Sequence, residues 1–132
     1  MNAALIKLRE AAKEAAVHAY VPYSRFPVGA AIELTEEGQY LQGCNVENSA
    51  YSMAICAERN ALVQSVAKGV PPGTLKTMGI YMPGEALYSP CGACRQMILE
   101  LMAEDAVIYA FCDSAEFKQW TKFELLPDGF AL

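Results

Sequence analysis

The order in which helical and strand-like segments alternate constrains the fold of this chain more than any other feature. Leu5, Leu8, Ala12, Ala15 or Ala16, and Ala19 recur at helical spacing over residues 3–20, with Lys7, Glu10, Lys13 and Glu14 around the other side. That pattern predicts an amphipathic helix, stopped by Val21-Pro22. Two strand-like runs, residues 26–34 and 39–46, flank the turn composition Thr35-Glu36-Glu37-Gly38 and should form a hairpin. A second helix is expected over 56–68, closed by Gly69 and then Pro71-Pro72. A buried strand over 77–82, a helix over 91–103 and a buried strand over 106–111 follow. The tail reads as a short strand around 118–121 and a turn or short helix at 123–126. This succession predicts an α/β protein with a single-domain α/β/α layered fold spanning 1–132. Helices should cover the faces of a mixed, roughly five-stranded sheet.

On that map the cysteines fall at informative places. Cys56 opens the second predicted helix and Cys91 the third, with Ser89 as its expected N-cap and Pro90 at the first helical position. Cys91 and Cys94 lie three residues apart, on one face of a helix. Unpaired N–H groups and the positive dipole end at a helix N-terminus favour thiolate over thiol. Two helices aimed at one point can therefore bring three thiolates together on one zinc. Three protein ligands leave the fourth position for water, the arrangement of a catalytic rather than a structural zinc. Glu58, two residues beyond Cys56, is left free to move protons. Three thiolates make the metal a poor Lewis acid, and Arg59 is the candidate to hydrogen-bond one of them and restore acidity.

Other uses of these cysteines fit less well. A redox Cys-x-x-Cys pair would not need a third cysteine followed by a carboxylate. A closed structural zinc needs a fourth ligand from Cys44, Cys112 or His18. The first two sit in or beside strands, where free cysteine is usually a small buried hydrophobe, and a lone helical histidine is more often a surface or packing residue. Net charge is −5, with 10 Lys and Arg against 15 Asp and Glu. That balance argues against a nucleic-acid partner, which calls for clustered basic residues. No apolar run approaches the ~18 residues of a membrane span. The mixed-charge first helix does not read as a signal peptide. A cytoplasmic protein without a membrane partner is expected, and its five cysteines suggest metal or catalysis before disulfides.

The flanking segments carry a resemblance. Residues 23–31 (Tyr-Ser-Arg-Phe-Pro-Val-Gly-Ala-Ala) and 43–51 (Gly-Cys-Asn-Val-Glu-Asn-Ser-Ala-Tyr) resemble the substrate-binding segments of cytidine deaminases. Cys56-Ala57-Glu58-Arg59 and Pro90-Cys91-Gly92-Ala93-Cys94-Arg95-Gln96 resemble that family's zinc signature. The likeness covers essentially the whole chain, and it is to the short, homotetrameric form with three cysteine ligands.

The resemblance implies that Cys56, Cys91 and Cys94 hold one Zn2+ per subunit and that Glu58 is the proton shuttle. Asn45 and Glu47 would receive the ribose 3′-hydroxyl, and their alternation at a strand end points both to one face. Phe26 would pack on the pyrimidine ring, and backbone groups near Ala57 would bind the amino group. Phe130 would enter the active site of a neighbouring subunit and Tyr51 would lie at the subunit interface near the site, so that active sites are completed across a homotetramer. The implied reaction is hydrolytic deamination of cytidine, and of 2′-deoxycytidine, in pyrimidine salvage. Deaminases of nucleoside antibiotics share the signature, and a zinc-stabilised interaction module is the non-enzymatic alternative.

Overall fold

Glycines set how closely the layers of this protein approach one another. The computed structural model describes residues 1–36 and 38–132. Helix α1 (Ala3–Ala16) starts where the Asn2 side chain accepts a hydrogen bond from the Leu5 N–H at 2.9 Å. The strands are β1 (Gly29–Glu33), β2 (Tyr40–Cys44), β3 (Leu75–Tyr81), β4 (Met102–Phe111) and β5 (Phe117–Thr121). Helices α2 (Ala57–Ala67), α3 (Gly92–Leu101) and α4 (Lys122–Leu125) complete the fold, with a short 3-10 turn at Tyr51–Met53.

One five-stranded sheet runs in the order β2-β1-β3-β4-β5. The pairs β1/β2, β1/β3 and β4/β5 are antiparallel, while β3/β4 is parallel and needs α3 as its crossover. The expected mixed sheet and layered architecture are therefore present. Alternation along the strands sorts two cores. Ala31, Tyr81 and Phe111 meet Leu8, Ala12 and Ala16 of α1. Ala30, Ile32, Met78, Ile80, Ile108 and Ala110 meet Ala57, Ala61 and Leu62 of α2, Ile98 of α3 and Leu125 of α4. Burying a side chain such as Leu8 or Ile108 contributes roughly 2 kcal/mol.

A Cβ at Gly29 would lie 2.6 Å from Ala16 N and closer still to Ala12 O; one at Gly43 would lie 2.6 Å from both Ala57 O and Ala61 N. Only glycine lets α1 seat on β1 and α2 on β2 so closely. The register pairs Gly29 with both Cys44 and Tyr81, and Tyr81 with Phe111. The segments 21–28, 45–56 and 82–91 therefore all leave the sheet at one end.

Several expected boundaries move. Helix α1 ends at Ala16 rather than residue 20, because Tyr20 pairs instead with the strand segment beyond β2: its N–H donates to Asn45 O at 3.0 Å, and its carbonyl accepts from Glu47 N–H at 2.8 Å. Strand β1 begins at Gly29 rather than residue 26. Ser89 and Pro90 are not the cap and first residue of α3; Cys91 is its N-cap, in extended conformation. Their oxygens instead receive Arg95, whose Nε donates to Pro90 O at 2.7 Å and whose Nη2 donates to Ser89 Oγ. Helix α3 ends at Leu101 and passes directly into β4 at Met102, earlier than the strand expected from residue 106. Buried Lys122 makes that loopless transition possible, donating from Nζ to Leu99 O at 2.9 Å and Met102 O at 3.0 Å. The hairpin forms with Gly38 at φ 81°, and Glu37 of its expected turn lies outside the described residues.

Candidate active site

Cys56 and Cys91 are the N-caps of α2 and α3, and neither makes a side-chain cap bond to its own helix. Their sulfurs turn toward each other instead. Cys56 Sγ and Cys91 Sγ are 3.6 Å apart, Cys91 Sγ and Cys94 Sγ 3.5 Å, and all three lie within 4.8 Å of one another. Ligands at about 2.3 Å on a tetrahedral zinc sit about 3.8 Å apart, so this donor set fits the ion. Among the described residues it is the one group of three or more metal-binding side chains so arranged.

A hydrogen bond from Cys94 is the largest influence drawing Cys56 down to about 5, with Arg59 adding to it against the cost of burial. Cys94 is pushed up by the same hydrogen bond and by burial. Arg59 Nη2 lies 3.8 Å from Cys56 Sγ and donates to Ala54 O at 3.2 Å, while its buried Nε has no hydrogen-bond partner among the described residues.

Glu58 occupies the first turn of α2, where a carboxylate is favoured by the helix dipole, yet is only 5% exposed. Burial dominates and pushes its carboxyl above the usual range. It shares a cavity of about 270 Å³ with Cys56, Ala57 and Cys91. Ile80 and Met82 at the end of β3 line it too, as do Phe26, Val28 and Asn45 from one side and Tyr88, Ser89 and Pro90 from the other.

Phe26 reaches the cavity from a turn rather than a strand. Arg25 adopts a left-handed conformation, φ 56°, which reorients the chain just before it. Asn45 then holds the backbone leading into β1: its Oδ1 accepts from Val28 N–H and its Nδ2 donates to Phe26 O, both at 2.9 Å. Glu47 Oε1 accepts from the N–H groups of Tyr23 at 3.1 Å and Ser24 at 3.0 Å. Hydrogen bonds from the Ser24 side chain and N–H hold its carboxyl below the usual range. Asn45 and Glu47 thus grip the same loop, and Asn45 also lines the cavity.

Of the expected substrate-binding residues, Glu47, Tyr51 and Phe130 do not line this cavity, and the last two stand well exposed. Tyr51 is 82% exposed, in edge contact with Tyr23 at 6.5 Å. Phe130 is 70% exposed and is not among the cavity-lining residues, although its carbonyl accepts from Gln96 Nε2 at 3.1 Å. Sequence reasoning missed Val28, Tyr88 and the anchoring role of Arg95. For Arg95 a signal existed: it sits four residues after Cys91, one turn along α3, and also donates to Leu125 O at 2.6 Å. Tyr88 had only its proximity to Cys91.

A buried carboxylate beside a three-thiol metal group, opening on a small apolar cavity, is the equipment of a zinc-dependent hydrolase. Residues 4–110 match the family model described as the cytidine and deoxycytidylate deaminase zinc-binding region. A cytidine deaminase of Sporosarcina psychrophila is 44% identical over 125 residues, covering 95% of this chain and 90% of its own. One from Mycobacterium tuberculosis is 38% identical, covering 95% and 88%. The crystal structure of cytidine deaminase from Burkholderia pseudomallei superposes with a TM-score of 0.89 at 38% identity, covering 98% of this chain and all of that one. This chain belongs to the cytidine and deoxycytidylate deaminase family and is an enzyme of that type.

Proposed function

We propose that this protein hydrolyses cytidine and 2′-deoxycytidine to the corresponding uridines and ammonia, serving pyrimidine salvage in the cytoplasm. One zinc per subunit is held by Cys56, Cys91 and Cys94. The observation that carries the reading is buried Glu58 at the wall of the cavity of about 270 Å³, two residues from Cys56.

Zinc, when bound, supplies a water ionised near neutral pH. Glu58 takes up a proton there and delivers it to N3 of the pyrimidine, which makes C4 electrophilic. Once the water oxygen has bonded to C4, Glu58 would take the proton of the new C4 hydroxyl and pass it to the 4-amino group, so that the C4–N bond breaks, the C4 carbonyl forms and ammonia leaves. One carboxylate serves as base and then acid because both sites are neighbours on one ring edge. Phe26 packs on the base and backbone groups near Ala57 bind the amino group. Asn45 and Glu47 receive the 3′-hydroxyl, a contact that tolerates both sugars. The remaining hydrogen-bonding capacity of both side chains is oriented by their grip on residues 23–28.

The chain acts as one domain in a homotetramer, in which Tyr51 and Phe130 complete neighbouring sites; their exposure in the single chain supports this. Absorbance and ammonia release from cytidine, deoxycytidine and adenosine, with zinc content and mass by light scattering, test the reading. Turnover of both cytidines by a zinc-loaded tetramer is expected. A zinc-loaded protein inert toward cytidine refutes it.

A further inference from the structure

The loop from β3 to α3, residues 82–91, ends on Cys91 and is pinned along its length. Gly84 N–H donates to Asp113 Oδ2 at 2.7 Å, and Asp113 N–H donates back to Gly84 O at 2.8 Å. The Tyr81 hydroxyl fixes the other carboxylate oxygen of Asp113 at 2.6 Å. The Cys112 thiol reaches Glu85 O at 3.5 Å, and the Tyr88 N–H meets Met82 Sδ at 3.2 Å. This loop carries Tyr88 to the cavity as part of a rigid frame.

The Tyr88 ring lines the cavity and meets Phe26 edge-on, with centroids 6.5 Å apart and planes at 68°. It remains 59% exposed. Two rings near a right angle form a corner. A flat heteroaromatic ring entering it can stack on one ring and meet the edge of the other.

We propose that Tyr88 is a specificity-determining substrate contact, the second aromatic wall of the slot that receives the pyrimidine ring of a nucleoside. This rests on the deaminase reading. Its lever is affinity rather than chemistry: Tyr88 stands at the cavity mouth, whereas Glu58 lies buried inside. A contact made equally in ground and transition states changes KM and leaves kcat alone.

The test compares zinc-loaded wild type, Tyr88→Ala and Tyr88→Phe. Steady-state kinetics with cytidine are combined with calorimetric Kd for uridine. Tyr88→Ala is expected to raise KM and Kd together about three- to tenfold, in the range of an aromatic contact, with kcat held within about twofold. Tyr88→Phe keeps the ring and is expected to restore both constants. Unchanged KM and Kd in Tyr88→Ala overturn the proposal, as does a fall in kcat alone or a Tyr88→Phe no better than the alanine. Wild-type protein that releases no ammonia from cytidine defeats the deaminase reading. Normal wild-type turnover beside an indistinguishable Tyr88→Ala defeats only the role of Tyr88.

Discussion

Gly43→Ala would separate the seating of α2 from every other property of the fold. The added Cβ would stand 2.6 Å from Ala57 O and from Ala61 N, and 3.1 Å from Ala61 Cα. All are backbone atoms, so no side chain can swing away. Comfortable contact needs roughly 3.5 Å, and α2 must therefore retreat by nearly 1 Å. Ala57 lies between Cys56 and Glu58, so the retreat falls on a metal-binding thiol and on the carboxylate together. Cys91 and Cys94 stay with α3, and the 3.6 Å gap between Cys56 and Cys91 widens by a comparable amount. Overpacking of this kind costs about 1–3 kcal/mol, whereas a 1 Å misplacement at reacting groups costs about 100-fold in rate. Gly29→Ala is the control. Its Cβ would clash harder, against Ala12 O and Ala16 N, but α1 carries none of the candidate site residues. Melting temperature, bound zinc per chain and kcat of the zinc-loaded fraction should be measured for both variants. Gly29→Ala is expected to lose at least as much stability while keeping its turnover per loaded molecule; Gly43→Ala is expected to lose turnover and zinc affinity. Equal losses of turnover in the two variants, or a Gly43→Ala that melts early yet turns over normally, would refute the reasoning.

Four other outcomes are expected. Glu58→Gln should keep its zinc but lose about 100- to 10,000-fold in kcat, read from single-turnover kinetics on metal-analysed protein. Arg59→Ala, which removes the guanidinium 3.8 Å from Cys56, should lower activity or zinc affinity about 10- to 100-fold with a small change in melting temperature. Lys122→Ala removes the ammonium donor to Leu99 O and Met102 O and should cost about 1–3 kcal/mol in urea denaturation, without altering KM. For Asp113, the Tyr81 hydroxyl first, then the Gly84 N–H, holds the carboxyl below its ordinary value. Its contribution is complete above the unfolded carboxyl pKa of about 4 and disappears as pH falls through the lower folded value. The stability gap between wild type and Asp113→Asn should therefore be flat near neutrality and close in acid; a gap that widens in acid would contradict this.

The layered architecture and the convergence of Cys56, Cys91 and Cys94 were legible because periodicity and spacing are local signals. What was illegible depends on partners distant in sequence. The helical pattern through Ala19 gave no hint that Tyr20 would join the chain beyond β2. Phe26 and Val28 have strand composition, but the Asn45 side chain takes the backbone groups that a longer ladder would have used. Ser89-Pro90 matched a helix start, yet the Arg95 guanidinium made better use of their oxygens. The place of Tyr88 depends on Asp113, a residue beyond the next helix and strand, and nothing near Tyr88 announces it.

The sheet also has a second end, opposite the cavity. There Glu33 pairs with Tyr40 and Leu75 with Met102, and the exposed connections around Thr35-Glu36 and Pro71–Thr74 turn the chain back. Among the described residues, none that lines the cavity comes from either connection. Foreign sequence grafted into them, whether an affinity tag, a fluorescent reporter or a tether to a solid support, should leave the cavity end undisturbed. Grafts of the same length into residues 82–91 or 45–56 would pull directly on the cysteines. The cavity thus opens at one end of the sheet and leaves the other available as a handle.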